Sequence, residues 1–140
     1  MEKWVLYAFI SMFFAGFTSV IAKLGLDGIS SEVGLAVRTC SVFILVVVFS
    51  LYAIPKQELQ SLTSQNINWL ALSGLTTAIS WIFYYKAIKL GSVSTVALID
   101  KGSFIVAVLM AWLILKEQMT LRVVIGSLFI LVGLLVVSKK

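Results

Sequence analysis

Five long apolar blocks, separated by short polar links, constrain this chain more than any other feature. They run from Trp4 to Ala22, Val33 to Ile54, Ile67 to Tyr85, Ser92 to Leu115 and Val123 to Val137. A helix that crosses the hydrocarbon core needs about 20 predominantly apolar residues, with about 17 as the lower limit. The first four blocks meet that length. The fifth is extended by Leu121 and by the stem of Arg122, whose charged head can reach the interface. Of the 140 residues, 61% are apolar and 12% charged. A soluble domain carries about 25% charge, so this chain lacks the polar surface that water would demand. Lipid removes that demand, provided every backbone polar group is satisfied inside a helix. The reading is an all-α membrane protein of five transmembrane helices, about 4–22, 33–54, 67–88, 92–115 and 121–138. Residues 1–140 form one membrane domain.

The links support that reading. Lys23 to Glu32 turns the chain after the first block. Pro55 to Asn66 holds the only proline, which lacks an N–H and should stop the second helix at Ile54. Lys86 to Gly91 and Lys116 to Arg122 make the last two turns. Trp4, Tyr52 and Trp69 lie near block ends, where amphipathic rings favour the headgroup region. The first block is read as a span and not a signal peptide. It is long, no small-x-small cleavage site follows it, and four more blocks come after.

Composition also excludes whole classes of chemistry. Cys40 is the one cysteine and there is no histidine, so neither an intrachain disulfide nor a transition-metal site is expected. No nucleophile–base pair and no phosphate loop appears. No enzyme activity, cofactor or metal is expected. The net charge of +5 comes from basic residues at helix ends. Membrane lipids with anionic headgroups are their expected partners, and nucleic acid is not.

Those basic residues barely discriminate between the two faces of the membrane. On the N-terminal side lie Lys3, Lys56, Lys116 and Arg122. On the other lie Lys23, Lys86, Lys89, Lys139 and Lys140, with Arg38 about a turn inside the second helix. The positive-inside rule orients a chain by such a difference, and here it is nearly absent. Either other signals set the orientation, or copies insert both ways and pair antiparallel.

Polar residues within the blocks mark candidate sites. Asp100 and Lys101 lie about 13 Å into the fourth block at 1.5 Å per residue. Each costs at least about 2.5–3.5 kcal/mol to insert there. Neighbours on a helix point about 100° apart and cannot pair well with each other. Gly102 follows and permits a kink or break. The pair serves a substrate, ion or proton, or forms an interhelical salt bridge that sets packing. In the third block Ser73, Thr77, Ser80 and Tyr84 recur at i, i+4, i+7, i+11 and share one face. Trp81 and Tyr85 form an aromatic pair beside it. Such a face suits a cavity wall, or close packing with each hydroxyl bonded to its own helix. Ser11, Ala15 and Ser19 in the first block, and Gly126 and Gly133 in the fifth, read as packing faces of small residues.

The whole arrangement resembles the EamA domain of the drug/metabolite transporter superfamily. Ala15-Gly16 followed by Lys23 is similar to the family's Trp-Gly…Lys pattern. Arg38-Thr39 resembles its Arg near the start of the second helix. Tyr84-Tyr85-Lys86-Ala87-Ile88-Lys89-Leu90-Gly91 is similar to its Tyr-x-x-Ala-Leu. Glu117 matches the Glu after the fourth helix, and Gly126 to Gly133 resembles the Gly-x-x-Leu-Ile-x-x-Gly of the fifth. Two departures stand out. Leu98-Ile99-Asp100-Lys101 replaces the Pro-Ile-Asp-Lys of short members. The chain also holds one five-helix repeat, where most relatives have two inverted ones.

The resemblance implies a secondary transporter in the cytoplasmic membrane, moving a small metabolite or drug-like solute by alternating access. With one repeat per chain, it implies an antiparallel homodimer. In ten-span relatives the first, third and fourth helices of each repeat line the cavity. Carried over, that makes Lys23, Ser73, Thr77, Ser80, Trp81, Tyr84, Asp100 and Lys101 the candidate pathway residues. The alternatives are a small multidrug-resistance-type exporter, against which stands the lack of an acid between Trp4 and Ala22, and an accessory subunit without transport of its own.

Overall fold

The computed structural model describes residues 2–138, and within them the chain is helical with no strand. Seven helices follow in order: α1 Lys3–Gly25, α2 Ser31–Ala53, α3 Lys56–Leu59, α4 Ser64–Leu90, α5 Val93–Asp100, α6 Ser103–Ile114 and α7 Leu121–Ser138. The expected helices are present with two amendments. A single short turn, α3, occupies the link after α2. The fourth block is split in two at Lys101 and Gly102. Lys139 and Lys140, which carry part of the charge balance, lie outside the described residues.

Local chemistry explains most boundaries. Three helices start on a hydroxyl that accepts an otherwise orphaned N–H. Ser30 accepts from Val33 N at 3.3 Å, Thr63 from Asn66 N at 3.2 Å, and Thr120 from Val123 N at 3.4 Å. Helix α2 ends at Ala53, with Ile54 already extended ahead of Pro55, as a proline requires of its predecessor. Gly28 holds a φ of 70° in the turn after α1, a conformation that costs glycine little.

The α5–α6 break is a tightening of the helix. Gly102 N–H donates to Ile99 O at 2.8 Å, and Ile105 N–H to Gly102 O at 3.0 Å. Both are i→i+3 bonds of the 3₁₀ type. A Cβ on residue 102 would stand 2.9 Å from the Ile99 oxygen. Glycine is therefore what lets the turn close.

The chain forms two compact units. One comprises residues 22–90. In it α2 packs against α4, running antiparallel to it. Leu26, Tyr85 and Ile88 are its buried apolar side chains. Leu26 lies over Gly34, where a Cβ would come within 2.3 Å of the Leu26 side chain. The other unit holds residues 2–21 and 91–138 of the described chain, with α5 packed against α7. Ser19 is buried there and donates to its own helix at Ala15 O, 3.3 Å, as a small packing residue does. The expected packing face of α7 is uncovered, since nothing lies within 4 Å of a Cβ at Gly126 or Gly133.

Nearly all other large apolar side chains are exposed on the single chain. Water would not tolerate this surface and lipid does. Four helices are long and apolar enough to cross a bilayer: Lys3–Gly25, Ser31–Ala53, Val93–Ile114 taken through the break, and Leu121–Ser138. Five were expected. The exception is α4, the longest at 27 residues. Ser64, Gln65 and Asn66 open it, hydroxyls stud its middle, and Lys86 and Lys89 close it. Of its hydroxyls, Ser73 and Thr77 line a groove shared with α2.

Candidate solute site on the α2–α4 pair

One end of the 22–90 unit is fastened by exchanged lysines. Lys23, near the end of α1, donates to Ile88 O at 2.6 Å and Lys89 O at 3.3 Å, at the last turn of α4. Lys89, near the end of α4, donates to Leu26 O at 2.7 Å, just past α1. Each helix thus caps the other's C-terminus, where unpaired carbonyls and the helix dipole favour a cation. At the same end Lys86 pairs with Glu32 at 3.7 Å, and Ser31 donates to Glu32 at 2.9 Å. That ion pair is largely solvent-exposed and contributes little. Its use is to mark where the protein meets the interface.

Seven residues beyond the start of α2, about 10 Å along its axis, stands Arg38. Its guanidinium carbon lies 4.1 Å from the centroid of the Trp81 ring and 5.9 Å from that of Tyr85. Tyr85 is buried, Trp81 and Arg38 are half-buried, and Tyr84 meets Tyr85 edge-on at 6.5 Å. A cation–π contact contributes about 2 kcal/mol or more when desolvated. Inserting an arginine within a span costs at least about 2.5–3.5 kcal/mol. Stacking on two rings is of the same order as that cost. The Nη1 of Arg38 is buried and has no hydrogen-bond partner among the described residues.

Beside this stack a groove of about 570 Å³ opens between the two helices. Its apolar wall includes Leu35, Leu70 and Ile82, and its polar wall Thr39, Ser73 and Thr77, with Trp81 at one end. The size falls in the 300–1,000 Å³ range of small-molecule sites. Thr39 donates its hydroxyl to Leu35 O at 2.8 Å, and Thr77 donates to Ser73 O at 2.9 Å. These hydroxyls have spent their protons on their own helices. What they present to the groove is acceptor lone pairs.

The sequence-chosen residues divide accordingly. Ser73, Thr77 and Trp81 line the groove, while Ser80 and Tyr84 do not. The groove face of α4 is centred near Gly74 and Trp81, roughly 75° around the helix from the hydroxyl stripe at 100° per residue. Lys23 belongs to the lysine exchange. Asp100 and Lys101 lie in the other unit, at the α5–α6 break, and no ion pair among the described residues holds either. Arg38 was read only as a charge and a family motif. Its partner Trp81 is 43 positions away in sequence, so no spacing rule connects them.

An all-α chain with several helices long and apolar enough to cross a bilayer is a multi-pass membrane protein. The chain belongs to the EamA-like transporter family, whose model matches residues 2–139. It is 35% identical over 139 residues to a protein of a Sinorhizobium sp. named "Uncharacterized transporter in cobO 3'region", covering 98% of this chain and 97% of that one. The relative is therefore of about the same length. No solved structure matches the chain. The family points to transport and away from enzyme chemistry.

Proposed function

We propose that the chain is a secondary transporter that moves a small metabolite or drug-like solute across the cytoplasmic membrane by alternating access, acting as an antiparallel homodimer. The observation that carries this reading is the α2–α4 groove, of small-solute size and placed beside a charged side chain at membrane depth. In this reading α4 is the fifth crossing, its polar stretch turned to protein and solute. The residues that move or couple the solute are those of the groove together with Asp100 and Lys101, which sit where a discontinuous helix exposes polar groups. Near-equal basic counts on the two faces leave orientation balanced. A single five-helix repeat needs an inverted partner to complete a two-repeat transporter.

The test is flux through proteoliposomes of the purified chain, screened by solid-supported-membrane currents against a panel of amino acids, organic acids, sugars and cationic dyes. Saturable, protein-dependent current for one class is expected. Folded protein that passes none of them favours an accessory subunit. Single cysteines at Lys3 and at Ser138, in a Cys40→Ser background, should each label from both faces of intact vesicles. Labelling of each terminus from one face only would rule out the antiparallel dimer.

A further inference from the structure

Asp100 and Lys101 carry opposite charges close to the middle of the Val93–Ile114 span, about 5 Å and 4 Å from its centre at 1.5 Å per residue. A charge at such depth persists by pairing or by facing a wet cavity. Neither side chain has an ion pair or a hydrogen bond among the described residues. Neighbours on one helix cannot pair well with each other. Their own unit offers no other charge at that depth, because Glu2, Lys3, Lys116, Glu117 and Arg122 all stand at helix ends or in links. In the 22–90 unit the charge farthest from a helix end is Arg38, and it is already stacked on Trp81 and Tyr85.

The helix turns the pair away from its packed side. Gly102 faces α7, where a Cβ would stand 3.2 Å from the Leu134 side chain. At about 100° per residue, Lys101 lies about 100° and Asp100 about 200° around the helix from that face. Lys101 is exposed on the single chain and Asp100 half-buried, with Leu98 and Ile99 exposed beside them. The result is a small patch that carries both a carboxylate and an ammonium, and such a patch is complementary to itself. A two-fold axis through it sets each charge against its opposite. Depth supports a second copy as the partner. Inversion about an axis in the membrane plane brings back to their own level only residues near the midplane, and these two lie there. We infer that Asp100 of each copy pairs with Lys101 of the other, in two reciprocal ion pairs that form the midplane contact of the dimer. This rests on the antiparallel homodimer proposed above for the presence and inversion of the second copy. Solutes and ions bind near the midplane between inverted repeats, so the bridge is compatible with a coupling role for Asp100.

The test is which copies pair. Full-length chains carrying donor or acceptor fluorophores are mixed in detergent, reconstituted together into lipid vesicles, and read by energy transfer. The double variant Asp100→Lys/Lys101→Asp keeps a self-complementary patch with its charges exchanged. It should pair with itself as the wild type does. Mixed pairs of wild type and double variant bring like charges together and should be at least about fivefold rarer than like pairs. Two single variants give a reading that does not depend on the double variant folding. Asp100→Asn and Lys101→Gln can each form no bridge with a copy of itself, yet one of each retains one bridge. Their mixed pair should exceed either like pair by at least about threefold. If dimers form but mixed and like pairs are equally frequent in both experiments, the ion pairs are wrong and the dimer reading stands. A wild type that gives no energy transfer sinks the dimer reading and the inference with it. Selective pairing in vesicles where each terminus labels from one face only keeps the ion pairs and sinks the inverted orientation.

Discussion

The chain carries charge into the membrane in two places, and the two are built differently. In the 22–90 unit Arg38 is stacked on aromatic rings, next to a groove, above a fastened end where lysines of α1 and α4 cap each other's helices. In the other unit Asp100 and Lys101 sit at a 3₁₀ tightening between α5 and α6, with no ion pair to them among the described residues. The first is a group whose position the fold dictates through stacking. The second is a pair at a helix break tightened by i→i+3 bonds. Specificity needs preorganisation, and alternating access needs an element with two arrangements.

The largest expected effect is at the break. Asp100→Asn keeps the side-chain shape and removes the charge. Flux in proteoliposomes should fall at least about tenfold, while the yield of monodisperse protein stays within about twofold of wild type; tenfold corresponds to about 1.4 kcal/mol. Parallel loss of flux and folded protein would mean that the carboxylate serves packing, and the contrast between the two sites would collapse.

A second test asks whether the fastened end is as tight as its contacts imply. Gly34→Leu drives side-chain atoms into Leu26, which is buried over it. Overpacking of this kind costs about 1–3 kcal/mol, so thermal unfolding in detergent should shift down by several degrees. Gly126→Ala on α7 meets nothing within 4 Å and should leave the midpoint unchanged or slightly raised, because alanine is the better helix former. Equal shifts at both sites would show that the two units are packed alike.

The smallest effect discriminates between two faces of one helix. In a Cys40→Ser background, Thr77→Cys should react with a small aqueous thiol reagent faster than Ser80→Cys, by about threefold or more on the half-time. Thr77 lines the groove and Ser80 does not. The opposite order would return the solute path to the hydroxyl stripe.

Much of the architecture was legible without coordinates. Hydropathy delimited the spans, because each apolar run is set by bilayer thickness alone. Pro55 marked the end of α2 and Gly102 the place where a helix could break, since both act through the backbone of their immediate neighbours. The family was visible in short motifs spaced along the chain. The helix that departed from expectation was α4, whose hydroxyls and terminal charges leave it short of the apolarity of the other spans.

The site itself was legible only in part. Ser73, Thr77 and Trp81, singled out in the sequence, line one groove, because a helix puts residues at i, i+4 and i+8 on one side whatever surrounds it. Which side faces a neighbour depends on how α2 rolls against α4, and that rotation turned the groove face away from Ser80 and Tyr84. Lys23 reaches a carbonyl 65 positions on, and Arg38 a ring 43 positions on. No local rule relates residues so far apart. Sequence alone determined how far along its apolar block each of these charges lies, since that follows from residue count along a helix. Only the tertiary structure decided which of them are matched, because a partner is chosen by helix packing across space and not by order along the chain.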